Sequence, residues 1–165
     1  MGILGEVGSC TTRRWAPALA LLVACGGAAT GPRGPLSLDA ITSDGQPFHL
    51  SEQRGQITIL HLFTTWAASA QEDVMQLKRV VAKVQVFGIL VDPEGQRLID
   101  AWQRGSGATW PIAFITPEAA EAYLGAKMIP TTLLLDRDGK VAWRRDGPLA
   151  PGELERAVEQ VARHR

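Results

Sequence analysis

The residues of this chain with chemistry to offer are few, and their positions decide how much of it survives. Two cysteines occur, Cys10 and Cys25, and both precede the part of the chain that reads as folded. The histidines His49, His61 and His164 are scattered, whereas a metal site needs several convergent donors. No metal ligand set is read from them, and His61, inside an apolar run, reads as a hydrogen-bonded interior residue. The stretch Thr64-Thr65-Trp66-Ala67-Ala68-Ser69-Ala70-Gln71 follows the run Ile57–Phe63 and opens a helical pattern, a place where many proteins keep a pair of reactive thiols. Here the candidate positions hold Ala67 and Ala70, whose methyl groups neither ionise nor exchange. Ser69 stands between them, and nothing in the local sequence offers a base to activate its hydroxyl. No catalytic residue is assigned.

These positions depend on alternating elements. "LSLDAITSDGQPFHL" holds two short strand-like pieces around the turn signal Ser43-Asp44-Gly45. Ile57–Phe63 reads as a buried strand, being rich in β-branched and large apolar residues. From Ala68 onward Val74, Leu77, Val81 and Val84 fall near helical spacing. Val84–Asp92 is a second continuous apolar strand, and Pro93–Arg104 predicts a helix with Leu98, Ile99 and Trp102 on one side. "PIAFI" is a short strand, and "PEAAEAYLG" a short helix closed by Gly125. "TTLLLDRDGKVAWRR" is a hairpin turning at Asp136-Arg137-Asp138-Gly139. A last helix is expected with Pro151 at its first position, burying Leu154, Ala157, Val158 and Val161.

The N-terminus is set apart from the fold. Arg13 and Arg14 precede "WAPALALLVAC", an apolar run shorter than the roughly 20 residues of a membrane span. It reads as an export signal, and the stretch before Arg13 is longer than such a signal requires, which fits a start downstream of Met1. "LVAC", Leu22–Cys25, resembles the lipobox of bacterial lipoproteins, in which the cysteine receives lipid and becomes the new N-terminus. The paired arginines match a twin-arginine signal poorly in the residues after them. The expected organisation is a lipoprotein signal peptide over 1–24, a flexible tether over 25–35 and a folded domain over 36–165, with Cys25 lipidated. That domain contains no cysteine. With 17 basic and 17 acidic residues spread along 165, no basic face advertises nucleic acid.

A parallel half, an antiparallel hairpin and a closing helix form the plan of the thioredoxin fold. Residues 36–163 resemble bacterial extracytoplasmic thioredoxin-like proteins of the TlpA/ResA type. "FHLSEQRGQITILHLFTTWAASAQ" is similar to that family's strand, W-C-x-x-C and helix, "FGILVD" to its second core strand, and "MIPTTLLLDRDGKVAWRRDGP" to its cis-proline loop and hairpin. The resemblance implies an α/β thioredoxin-like fold, a central mixed sheet flanked by helices with an N-terminal β-hairpin extension. It maps the family's two cysteines onto Ala67 and Ala70. A peroxiredoxin would carry its cysteine at Ala67, and a copper-handling relative would need two cysteines where Ala67 and Gln71 leave no soft ligand.

What the resemblance leaves is a surface. In the family the residue before the cis-proline offers its backbone to an extended peptide, which implies binding at Ile129, Pro130 and Thr131 with Trp66 beside them. Asp92 matches an acid the family keeps near its thiols and is expected to hydrogen-bond locally at the helix start. The expectation is a redox-inactive, lipid-tethered module of the bacterial cell envelope, facing the periplasm or extracytoplasmic side. It would take no cofactor, bind a protein or extended-peptide partner at the cis-proline face, and touch the membrane through its lipid. The alternative is a thiol-disulfide oxidoreductase by family membership.

Overall fold

The computed structural model describes residues 34–163. The signal peptide assigned to 1–24, Cys25, most of the tether and His164 lie outside the described residues. Seven strands form one mixed sheet, in the order β2-β1-β5-β4-β3-β6-β7. They are β1 (Asp39–Thr42), β2 (Pro47–His49), β3 (Thr58–Phe63), β4 (Gln85–Leu90), β5 (Ile112–Phe114), β6 (Thr131–Leu135) and β7 (Val141–Asp146). The helices are α1 (Ala70–Lys78), α2 (Ile99–Ser106), α3 (Pro117–Leu124) and α4 (Glu153–Arg163). β3, β4 and β5 run parallel, while β6 and then β7 pair antiparallel on one side and β1 and then β2 on the other. The N-terminal hairpin therefore extends the sheet beyond β5.

Both faces of the sheet are covered, which is why its central strands read as unbroken apolar runs. Ile59 and Phe63 of β3 pack with Leu77 of α1, Ile99 ahead of Trp102 in α2, and Leu154 and Val158 of α4. Leu60 and Leu62 point the other way, to Leu124 of α3 and to Leu36, Leu38 and Phe48 of the N-terminal segment. Phe63 stacks on Trp102 with ring centroids 4.6 Å apart. Gly88 in β4 is where this packing leaves no room: a Cβ there would lie 3.0 Å from Ile112 Cγ1 and 3.2 Å from Phe63 Cε1. Gly88→Ala is expected to cost about 1–3 kcal/mol through overpacking. Urea unfolding with an unchanged midpoint would contradict that packing.

Three expectations are corrected. The helix expected over Pro93–Arg104 is a single tight turn at Gly95–Arg97 followed by α2, and Leu98, at the junction, is exposed rather than buried. The helix after Ser69 ends at Lys78, short of Val84. There the chain tightens into i→i+3 bonds from Arg79, Val80 and Lys83, which keeps Val80 in the core. Pro151 does not open the last helix; a turn through Gly152, with φ of 72°, intervenes before Glu153. α4 buries Leu154, Ala157 and Val158, with Val161 packed partly against them.

Candidate functional site

Four loops meet at one end of the sheet because the register brings their strands level there. Phe63 pairs with Leu90, Leu90 with Phe114, and Leu62 with Thr131, so β3, β4 and β5 finish where β6 begins. The chain leaves β3 through Thr64 and Thr65, exposes Trp66 (77% accessible) and turns into α1. In that turn the Ala70 N–H donates to the Ala67 carbonyl at 3.0 Å. Ser69 caps α1 in position only: its side chain makes no hydrogen bond to the helix end. From the next loop, Asp92 Oδ2 accepts from the Thr65 hydroxyl at 3.1 Å and Oδ1 accepts from the Glu94 N–H at 3.0 Å. Asp92 ties the two loops together. A cavity of about 180 Å³, lined by Leu90, Pro93, Phe114 and Ile115 among others, opens between the heads of β4 and β5.

At the same end of the sheet lies the loop into β6. The Ile129–Pro130 peptide is cis. Gly147, whose φ of 97° suits glycine, donates its N–H to the Pro130 carbonyl at 2.8 Å. The backbone of Ile129 makes no hydrogen bond among the described residues, while its side chain packs inward against the second cluster. Thr131 is completely buried. Its Oγ1 lies 2.6 Å from the Met128 carbonyl and 3.0 Å from Asp146 Oδ1, so its hydroxyl braces the loop from beneath. Arg144 beside Asp146 holds that carboxyl below its ordinary range. Met128, which the sequence reading did not single out, is exposed next to this loop.

Beneath the turn lies a polar group that apolar patterning could not reveal. His61 on β3 and Asp73 on α1 are 3% and 0% accessible, with Nε2 and Oδ2 3.9 Å apart. His61 Nδ1 lies 2.9 Å from Thr132 Oγ1, and Asp73 Oδ1 accepts from the Leu149 N–H at 2.8 Å. Asp73 Oδ2 has no hydrogen-bond partner, nor has the buried hydroxyl of Thr64. Burial raises the Asp73 carboxyl and lowers the His61 imidazole to about 4, since each charged form would sit away from water. The signal was in the sequence as a charge three residues after Ala70, on the same helix face. It needed the fold to pair it with His61. Among the described residues no group of three or more His, Cys, Asp or Glu is placed to hold a metal ion.

The chain is 22% identical over 134 residues to the thiol-disulfide oxidoreductase ResA of Geobacillus thermodenitrificans, covering 78% of this chain and 77% of that protein. A thioredoxin-family thiol:disulfide interchange protein from Chlorobium tepidum superposes with a TM-score of 0.65 at 25% identity, over 79% of this chain and 96% of that one. The chain is a thioredoxin-like protein of the TlpA/ResA type. No family model matches it. An exposed lipoprotein thioredoxin from Streptococcus pneumoniae shares the fold, with a TM-score of 0.59 at 18% identity over 75% of this chain and 98% of that one. In this TlpA/ResA-type chain the residues after Trp66 that form the turn into α1 are Ala67, Ala68, Ser69 and Ala70, and no cysteine occurs after Cys25.

Proposed function

We propose that this protein is a lipid-tethered, redox-inactive module that binds an extended polypeptide segment across the cis-proline edge. The observation that carries the reading is the unpaired Ile129 backbone at the same end of the sheet as an exposed Trp66, at a site without a cysteine. A peptide laid along Ile129 would gain main-chain hydrogen bonds in β fashion, with Trp66 and Met128 as apolar contacts. Pro130 shapes that edge and Thr131 supports it. The lipobox-like Leu22–Cys25 supports anchoring through Cys25 at the extracytoplasmic side of a bacterial envelope, as does the lipoprotein nature of the pneumococcal neighbour. Ala67 and Ala70 take no part in electron transfer.

A second reading, a thiol-disulfide oxidoreductase, is favoured by the names of the relatives. It needs a thiolate at the turn into α1, and the chain supplies none there. The two readings separate in one preparation. The protein with Cys10 and Cys25 replaced by serine is expected to reduce no insulin disulfides, yet to bind an unfolded, thiol-blocked polypeptide such as carboxamidomethylated α-lactalbumin. Trp66→Ala should weaken that binding by roughly thirtyfold, the loss of about 2 kcal/mol common at an aromatic anchor. Insulin turnover, or affinity indifferent to Trp66, would reject the proposal. Labelled fatty acid should enter the chain in cells and be lost in Cys25→Ser.

A further inference from the structure

The buried His61–Asp73 pair is not needed to hold a peptide at Ile129, yet it is wired to that edge by two routes. Through Asp73 Oδ1, the carboxylate holds the Leu149 N–H at 2.8 Å, and two residues earlier the Gly147 N–H holds the Pro130 carbonyl at 2.8 Å. Through His61 Nδ1, the imidazole lies 2.9 Å from Thr132 Oγ1, two residues after Pro130. Between the two side chains the Nε2 to Oδ2 distance of 3.9 Å is too long for a hydrogen bond, and Oδ2 has no other partner.

We propose that uptake of one proton by the His61–Asp73 pair resets the Gly147–Leu149 segment and thereby tunes binding at the cis-proline edge. The proton comes from solvent and lodges between Nε2 and Oδ2, taking the pair from a net charge of −1 to zero. Whichever atom carries it, the gap acquires one donor and one acceptor and contracts toward the roughly 2.7–2.9 Å of a charge-assisted bond. Contraction draws the carboxylate from Leu149 or the imidazole from Thr132. Either shift reaches Pro130. Burial, which raises the Asp73 carboxyl, favours this first proton, as does the neighbouring charge of Glu72.

The other charges bordering the pair are already engaged. Arg145 on β7, level with Thr132, lies 3.6 Å from Glu153 of α4, and its Nε donates to the Pro148 carbonyl at 3.1 Å. Arg79, just past α1, lies 3.6 Å from Glu155 of α4, whose Oε2 is itself buried without a partner. β3 contributes no charge besides His61, β6 contributes none, and Phe63 stacks on the imidazole at 5.9 Å.

The consequence for binding rests on the reading of Ile129 as a binding edge; the proton-driven movement does not. The test uses the full chain, isotopically labelled, titrated by NMR from about pH 7.5 to about pH 3.5, a window that takes in both the ordinary imidazole value and the value of about 4 to which burial lowers His61. The amides of Leu149, Gly147 and Ile129 are expected to shift with one midpoint shared by the His61 ring. Asp73→Asn, which keeps an acceptor for Leu149, should abolish that common transition, and His61→Gln should move or remove it. Carboxamidomethylated α-lactalbumin should bind with an affinity that changes about fivefold or more across the midpoint in the parent and stays flat in Asp73→Asn, a coupling of ordinary size. A titration confined to Leu149, an Ile129 shift that persists in both variants, or binding equal on both sides of a shared midpoint would overturn the proposal. Absence of probe binding at every pH, with the shared transition intact, would instead refute the binding reading and leave the proton-driven movement standing.

Discussion

Cysteines placed at positions 67 and 70 are expected to form a disulfide and to confer an insulin-reducing activity that the parent lacks. The Ala70 N–H to Ala67 carbonyl bond of 3.0 Å closes an i→i+3 turn. Such turns hold their end Cα atoms within about 7 Å, and disulfides span Cα separations of about 4.4–6.8 Å. The nucleophile would sit just ahead of α1, where unpaired N–H groups favour a thiolate. In a background with Cys10→Ser and Cys25→Ser, Ala67→Cys with Ala70→Cys leaves one possible pairing. Its reduction potential should fall in the range of about −270 to −120 mV covered by redox proteins of this kind. Thiol counting after equilibration with glutathione buffers measures it. A pair that stays reduced in mild oxidant would mean that the turn into α1 is not the one described, whereas an oxidised pair with no insulin turnover would locate the functional loss beyond the missing sulfur.

His61 should make the fold acid-labile. In the unfolded chain an imidazole takes its proton near 6.5, whereas burial delays this to about 4 in the folded protein. Between those values the unfolded state binds more protons, so stability falls as pH falls. The contribution is complete above the unfolded value and exhausted below the folded one. At about 1.4 kcal/mol per pH unit the loss amounts to about 3 kcal/mol. Asp73 acts in the opposite sense: its raised carboxyl favours the folded state as pH drops through its folded value toward the ordinary 3.8. His61→Gln is therefore expected to flatten the acid limb by about 3 kcal/mol whatever it costs at neutral pH. Urea denaturation at a series of pH values measures the limb; parallel curves for parent and variant would show that His61 is not held neutral in the folded state.

The strands and most helices were legible because burial on two faces leaves a mark in one dimension. Ile57–Phe63 and Val84–Asp92 could be read as central strands since their residues from Ile57 to Phe63 and from Val86 to Val91 are buried against a covering layer. The Asp136–Gly139 turn and Gly125 at the end of α3 were readable because local backbone geometry selects those residues. Where the reading slipped, the chain was choosing between local alternatives of similar cost. Leu98 was assigned to a helical face that a junction rotates outward, and Pro151 to a helix start that the turn at Gly152 delays.

The sequence by itself determined what chemistry is missing: with no cysteine after Cys25, thiol exchange at the turn into α1 is closed to this chain in any conformation. It also determined the alternation of elements, because periodicity records how many faces of each are covered. Only the tertiary structure decided which polar groups meet. His61, Asp73 and Thr132 come from three separate elements and Leu149 from the loop after β7, and the Thr131 hydroxyl turns inward to Met128 and Asp146. Such pairings depend on strand register and helix placement, to which each residue contributes little locally and which therefore leave no pattern along the chain.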